Sequence, residues 1–169
     1  MAKIYRDDDV NKYTDIGLME EIHAPFIKYN KIHTIAVEME DLWESKHVWY
    51  WITETPNIDV GLHGWTHKDY SAMSYEDVRK DIQKSLDYWN GHTLMGGYKE
   101  KQIKVFYPPW NRVSPILQDV CDNLGLKLDN RVGGDVYNFH WWTFRDKRRE
   151  DLKKLQNDLC GGCMFLRKA

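Results

Sequence analysis

The stretch "VGLHGWTHKDYS" places His63 and His67 four positions apart, directly after a short apolar run. Two imidazoles at that spacing can point the same way from one turn. With one carboxylate they supply three ligands to a divalent metal and leave coordination positions open for water and substrate. Gly64 lacks a Cβ and lets the backbone lie close to a bound ion or ligand. Carboxylates stand near the start of the chain, where "RDDD" puts Asp7, Asp8 and Asp9 in a row. Further along, "FYPPW" runs from Phe106 through Tyr107 to Trp110, and "YNFHWW" contributes a third imidazole, His140. An open site of two histidines and a carboxylate suits hydrolysis by activated water. The same ligand types also form the facial triad of non-haem iron oxygenases. Against both stands the ordinary use of histidine as a hydrogen-bonded or surface side chain.

Bringing these groups together takes strands that end where the chemistry begins. "AKIY" is a short strand candidate running into the acidic triplet, and "IHTIAVEM" is a β-branched apolar run that reads as a buried strand. "IDVGLH" delivers His63 at its C-terminal end, "IKVFYPP" must stop at its prolines, and "DVYNFHWW" carries His140. Helical patterns lie between them. "TDIGLMEEIHAPFIKY" has Thr14 as N-cap, with Pro25 placed to bend or divide it, and "EDLWESKHVWYWIT" is ambiguous. The clearest pattern is "SYEDVRKDIQKSLDYWN", with Ser74 as N-cap and Val78, Ile82, Leu86 and Trp89 on one stripe. "SPILQDVCDNLGL" has Ser and Pro at its start and Gly125 to end it, and "RDKRREDLKKLQNDL" is a last, highly charged helix. Alternation of this kind implies parallel strands joined by right-handed crossovers, with functional loops at the strand C-terminal ends. On that rule the aspartates, the histidine pair, Tyr107 to Trp110 and His140 face one rim.

The bulk properties narrow the function classes. A chain of 169 residues suits one domain with a single core. Its net charge of −2 provides no general attraction to phosphate backbones or anionic membranes, so neither nucleic acid nor a membrane is an expected partner. No apolar run approaches the ~20 residues of a membrane span, and "MAKIYRDDDV" lacks the apolar stretch of a secretory signal, which implies a cytoplasmic protein. Cys160 and Cys163 in "CGGC" have the gap of redox and zinc sites, but a lone pair falls short of a four-ligand zinc signature and reads as ordinary thiols. Eight Trp and ten Tyr are too many to be wholly buried in a hydrophilic chain, so some rings are free to line a cleft where a sugar ring can stack.

The motifs "YRDDDV", "HGWTH", "FYPPWN" and "YNFHWW", in that order between residues 4 and 142, resemble the polysaccharide deacetylase family, carbohydrate esterase family 4. The resemblance implies an α/β fold of the distorted or incomplete (β/α) barrel type; the chain is short beside the ~250 residues of a regular barrel. It also implies a hydrolase that removes an acetyl group from an N-acetylated sugar with the help of a divalent metal. Zinc is the usual ion, and cobalt, nickel or iron accept the same ligands.

Carried onto this chain, the resemblance makes His63 and His67 the histidine ligands. Two adjacent aspartates become a general base followed by a third ligand. The triplet leaves two registers open: Asp8 as base with Asp9 as ligand, preferred because Val10 follows directly, or Asp7 as base with Asp8 as ligand. In the preferred register Asp7 is a solvated strand-end charge. The backbone N–H of Trp110 is implied as an oxyanion donor, and His140 as the general acid. Two features depart from the family pattern. Tyr107 stands where many members have an arginine that holds the catalytic aspartate, with Arg6 or Arg112 available to replace it. The fourth motif is blurred, leaving Asp135 or Arg131 to orient His140. A glycan-binding protein without turnover is the alternative on the same scaffold.

Overall fold

The computed structural model describes residues 3–96 and 101–161, so Cys163 lies outside the described residues. The strands are β1 (Ile4–Val10), β2 (His33–Val37), β3 (Ile58–Leu62), β4 (Val105–Phe106), β5 (Lys127–Leu128) and β6 (Val136–His140). All pair in parallel in one sheet of order β5-β4-β3-β2-β1-β6. The sheet curls into a half-barrel, and its edge strands β5 and β6 do not pair with each other among the described residues. The helices are α1 (Ile16–Lys28), α2 (Lys46–Glu54), α3 (Tyr75–Gly96), α4 (Pro115–Asn123) and α5 (Phe144–Leu159). One buried cluster joins them to the sheet, including Ile35, Val37 and Phe106 from strands and Phe26, Trp49 and Ile82 from helices. None of the helices is long and apolar enough to cross a membrane among the described residues.

Local chemistry explains most element boundaries. Ser74 and Ser114 sit before α3 and α4 as expected, and Ser114 accepts from the Leu117 N–H. α1 differs: Asp15, not Thr14, caps it by accepting from Leu18 N, while Thr14 Oγ1 accepts from Asn11 N. Pro25 neither ends nor divides α1, because Ile22 and Phe26 on either side of it are fully buried and hold the last turn in place. The ambiguous stretch after β2 splits into a 3-10 turn, Leu42–Glu44, and α2. β5 has only two residues, too few to show alternation in the sequence.

β1 is the strand that matters most for the site, and it runs on through the acidic triplet. Successive strand residues point to opposite faces. Asp7 is level with Ile35 and Phe139, whereas Arg6 is level with Asn138 and Asp8 with His140. Alternation thus turns Tyr5 and Asp7 to the helix-covered face and Arg6 and Asp8 to the other. It breaks at Asp9, where the register shifts and φ is 63°. A bulge re-aims a side chain, and a short polar residue such as Asp tolerates the left-handed backbone. Two consecutive aspartates thereby reach the same mouth of the barrel.

Candidate active site

Asp9 Oδ1 lies 3.3 Å from His63 Nε2 and 3.4 Å from His67 Nε2. The three side chains each offer a ligand atom, all within 4.8 Å of one another. Asp9 Oδ1 is buried and has no hydrogen-bond partner. A buried carboxylate oxygen left in that state between two ring nitrogens suits a cation, which would satisfy all three atoms at once. His63 Nδ1 is 2.6 Å from the Tyr107 carbonyl oxygen. Since a carbonyl only accepts, Nδ1 carries a proton and Nε2 is the ring nitrogen turned to Asp9, the orientation by which metal-binding imidazoles are fixed.

The loop bearing both histidines is braced from α3. Tyr70 Oη donates to Asp81 Oδ1 at 2.5 Å, Trp65 N donates to the same oxygen at 3.0 Å, and Lys68 Nζ reaches Oδ2 at 2.9 Å. Gly64 permits this: at its φ of 99°, a Cβ would fall 2.1 Å from Tyr70 Oη. Asp81 carried no signal in the sequence, being one more charge on a charged helix.

Asp8 is held differently. It accepts from Arg6 Nε at 2.8 Å, from Arg6 Nη2 at 3.0 Å and from Asn138 Nδ2 at 2.8 Å. Arg6 is held in turn by Asn111 Oδ1 and the Arg131 carbonyl, and its guanidinium lies 4.7 Å from the Tyr107 ring centroid. Arg6 is therefore the arginine that grips the aspartate, and Tyr107 is its platform; Arg112 is turned to Asp69 instead. Asp7 corrects the expectation of a solvated charge. It is fully buried, its Oδ1 accepts from Trp141 N at 2.7 Å, and its Oδ2 sits 3.7 Å from His33 Nε2 with neither atom otherwise hydrogen-bonded. The physical reason is strand parity, since β1 continues past the point where a solvated strand end would lie. Burial pushes the Asp7 carboxyl well above the usual carboxylate range, with Asp8 and Asp9 adding to the rise and the Trp141 N–H opposing it.

Ionisation in the centre follows from the neighbours. Burial raises the Asp9 carboxyl, but the adjoining His63 and His140 imidazoles and the Trp142 N–H outweigh it and bring the pKa to about 2. Burial lowers the His67 imidazole, with Asp9 opposing. At His63 burial also acts downward, yet Asp9 and Asp8 overcome it and the pKa rises. Glu38, immediately after β2, belongs to the same electrostatic group, its carboxyl raised by burial beside His63 and Asp9. The signal for Glu38 in the sequence is its place directly after the apolar run of "IHTIAVEM", at a strand C-terminal end.

His140 closes β6 with Nε2 3.6 Å from Asp9 Oδ2. Neither of its expected partners orients it: Arg131 pairs with Asp129 and Asp135. The reason is that both stand before β6, while His140 is at its far end. His140 instead packs against Trp142, ring centroids 5.2 Å apart. Trp110 has a left-handed backbone, φ 53°, and its ring stands edge-on to His67 at 4.2 Å. Beside it opens a cleft of about 660 Å³ lined by Trp65, His67, Met73, Lys80, Lys84 and Trp110, among others.

The polysaccharide deacetylase family model matches residues 39–128, a span that holds the histidine pair and the Tyr107 to Trp110 motif but not β1 or β6. The structure is similar to that of a CE4 family pseudoenzyme from Bacillus anthracis, with a TM-score of 0.70 and 15% identity over 95% of this chain and 61% of that one. It is similar to a family 4 carbohydrate esterase from Streptomyces lividans in complex with acetate, with TM-score 0.64, 15% identity and coverage of 95% and 88%. It is also similar to the peptidoglycan deacetylase PdaC from Bacillus subtilis, with TM-score 0.66, 17% identity and coverage of 93% and 85%. The chain thus spans about three fifths of the length of the pseudoenzyme. No curated protein matches it in sequence.

Proposed function

The chain belongs to the polysaccharide deacetylase family, and on that premise we propose that it is a metal-dependent hydrolase releasing acetate from an N-acetylated sugar or polysaccharide. Asp9, His63 and His67 hold the ion, for which zinc is our assignment from a donor set of two nitrogens and one oxygen. When bound, the cation lowers the pKa of water and polarises the amide carbonyl. Asp9 stays ionised at neutral pH and so remains a ligand. Asp8 accepts the proton of the attacking water, while the Arg6 fork and Asn138 keep its oxygens in place. The Trp110 backbone N–H donates to the oxygen on which negative charge collects. His140 Nε2 returns a proton to the departing amine nitrogen, a poor leaving group until protonated. Asp7, buried and turned to the opposite face of β1, takes no part in proton transfer.

The observation that carries this reading is Asp9 Oδ1, buried and without a hydrogen bond between two imidazole nitrogens. A glycan-binding protein is the second reading, favoured by the likeness to a pseudoenzyme; the Arg6–Asp8 pair weighs against it by filling the place of the missing arginine. An oxygenase would leave Asp8 without a role. The test is acetate release from chitin oligomers and peptidoglycan fragments by zinc-loaded protein. Turnover that disappears in Asp8→Asn and His67→Ala supports the deacetylase. Saccharide binding without acetate release at full metal loading selects the binder.

A further inference from the structure

The two oxygens of Asp9 have different surroundings. Oδ1 faces His63 and His67, whereas Oδ2 accepts from Trp142 Nε1 at 3.2 Å and lies 3.6 Å from His140 Nε2. A carboxylate can bind a cation through one oxygen or through both. Binding through both would occupy a position that a catalytic site keeps open for water and substrate. We propose that Trp142 is a positioning residue for the metal centre: its indole N–H holds Asp9 Oδ2, so that Asp9 ligates through Oδ1 alone. The inference rests on the metal-dependent reading of Asp9, His63 and His67.

Trp142 is placed and built for this role. It belongs to the 3-10 turn Trp141–Thr143 that follows β6, and that turn is tied down on three sides. Trp141 N donates to the buried Asp7 Oδ1 at 2.7 Å, Trp141 Nε1 donates to the Asp9 carbonyl at 3.1 Å, and Thr143 Oγ1 donates to the His140 carbonyl at 2.7 Å. Neighbouring tryptophans therefore hold the Asp9 backbone and one oxygen of its carboxylate. Asp9 needs such bracing, since it stands at a bulge in a left-handed conformation where strand pairing does not set the direction of its side chain. Indole suits the task chemically. Its N–H donates and cannot accept, so Trp142 neither competes for the cation nor brings a positive charge beside it, as histidine or lysine would. A bond from N–H to an ionised carboxylate is also among the stronger kinds.

Trp142→Phe keeps a ring against His140 and deletes the N–H alone. The experiment loads wild type and variant with Co(II), whose visible absorption weakens as coordination number rises, and titrates its affinity in the same cuvette. The expected result is a weaker Co(II) band in the variant and a dissociation constant about tenfold higher, in the range seen when outer-shell partners of metal ligands are lost. An unchanged band and affinity overturn the proposal. A lower melting temperature of the metal-free variant with an unchanged band overturns it too, since Trp142 would then be structural only. Failure of the wild type to bind Co(II) sinks the metal-dependent reading itself and is seen before the variant is made.

Discussion

Arg6→Met tests how Asp8, the proposed base, is held. Arg6 and Asp8 are 1% and 5% exposed at their side chains, so this is a buried ion pair and not a surface one. Methionine retains much of the stem and leaves the Asp8 carboxylate with Asn138 Nδ2 as its remaining side-chain donor. Removing one partner of a buried pair costs about 3–5 kcal/mol, because the other charge is stranded. At roughly 2–4 °C per kcal/mol for a chain of this size, the melting temperature falls by roughly 6–20 °C. Arg6→Met/Asp8→Asn removes the stranded charge while Asn138 can still pair with the new amide, and recovers most of the loss. Urea unfolding of metal-free protein measures both variants without a contribution from metal linkage. A cost below ~1 kcal/mol for Arg6→Met, the range of exposed pairs, would refute the reasoning. So would a double variant no more stable than the single one.

Three further outcomes follow from the site. The folded pKa of Asp7 is raised above its unfolded value of about 3.9, so its contribution favours folding fully below that pH and is lost as pH rises toward the folded value. Asp7→Asn offers the same acceptor to the Trp141 N–H and an N–H toward His33, and should gain stability over wild type as pH rises above about 4; thermal unfolding showing no gain contradicts this. Asp81→Leu removes the acceptor for Trp65 N, Lys68 and Tyr70, and is expected to weaken zinc binding about 10- to 100-fold with the far-UV spectrum retained; equal affinity by calorimetry tells against the brace. The His63 pKa is raised by Asp9 and Asp8 in the metal-free protein, and zinc takes only the deprotonated ring, so zinc binding weakens as pH falls and releases protons as it occurs. Calorimetric heats should then vary with buffer ionisation enthalpy, and heats independent of the buffer would show His63 already neutral.

Readability of the chain tracked the distance over which its signals act. "HGWTH" could be read because its chemistry is contiguous: one strand end and one turn deliver both imidazoles. α3 could be read from a capping serine and an apolar stripe, and α4 from a capping serine with proline after it and Gly125 at its end, all features of a few neighbouring residues. β5 could not, since two residues carry no period. The split of the "EDLWESK" stretch into a turn and α2 likewise left no periodic mark.

By itself, then, the sequence determined the alternation of strands and helices, the histidine pair and the presence of carboxylates within its reach. Which carboxylate meets the imidazoles was decided by the bulge at Asp9, a shift in pairing between β1 and β2. The choice of Arg6 over Arg112 needed Tyr107, Asn111 and the Arg131 carbonyl, all a hundred or more positions away, to converge on one guanidinium. Asp7 became a buried acid and Asp81 a brace in the same way, through partners supplied by other elements. Periodicity and capping act over a few residues, whereas the ionisation and direction of a side chain depend on whatever the folded chain packs against it.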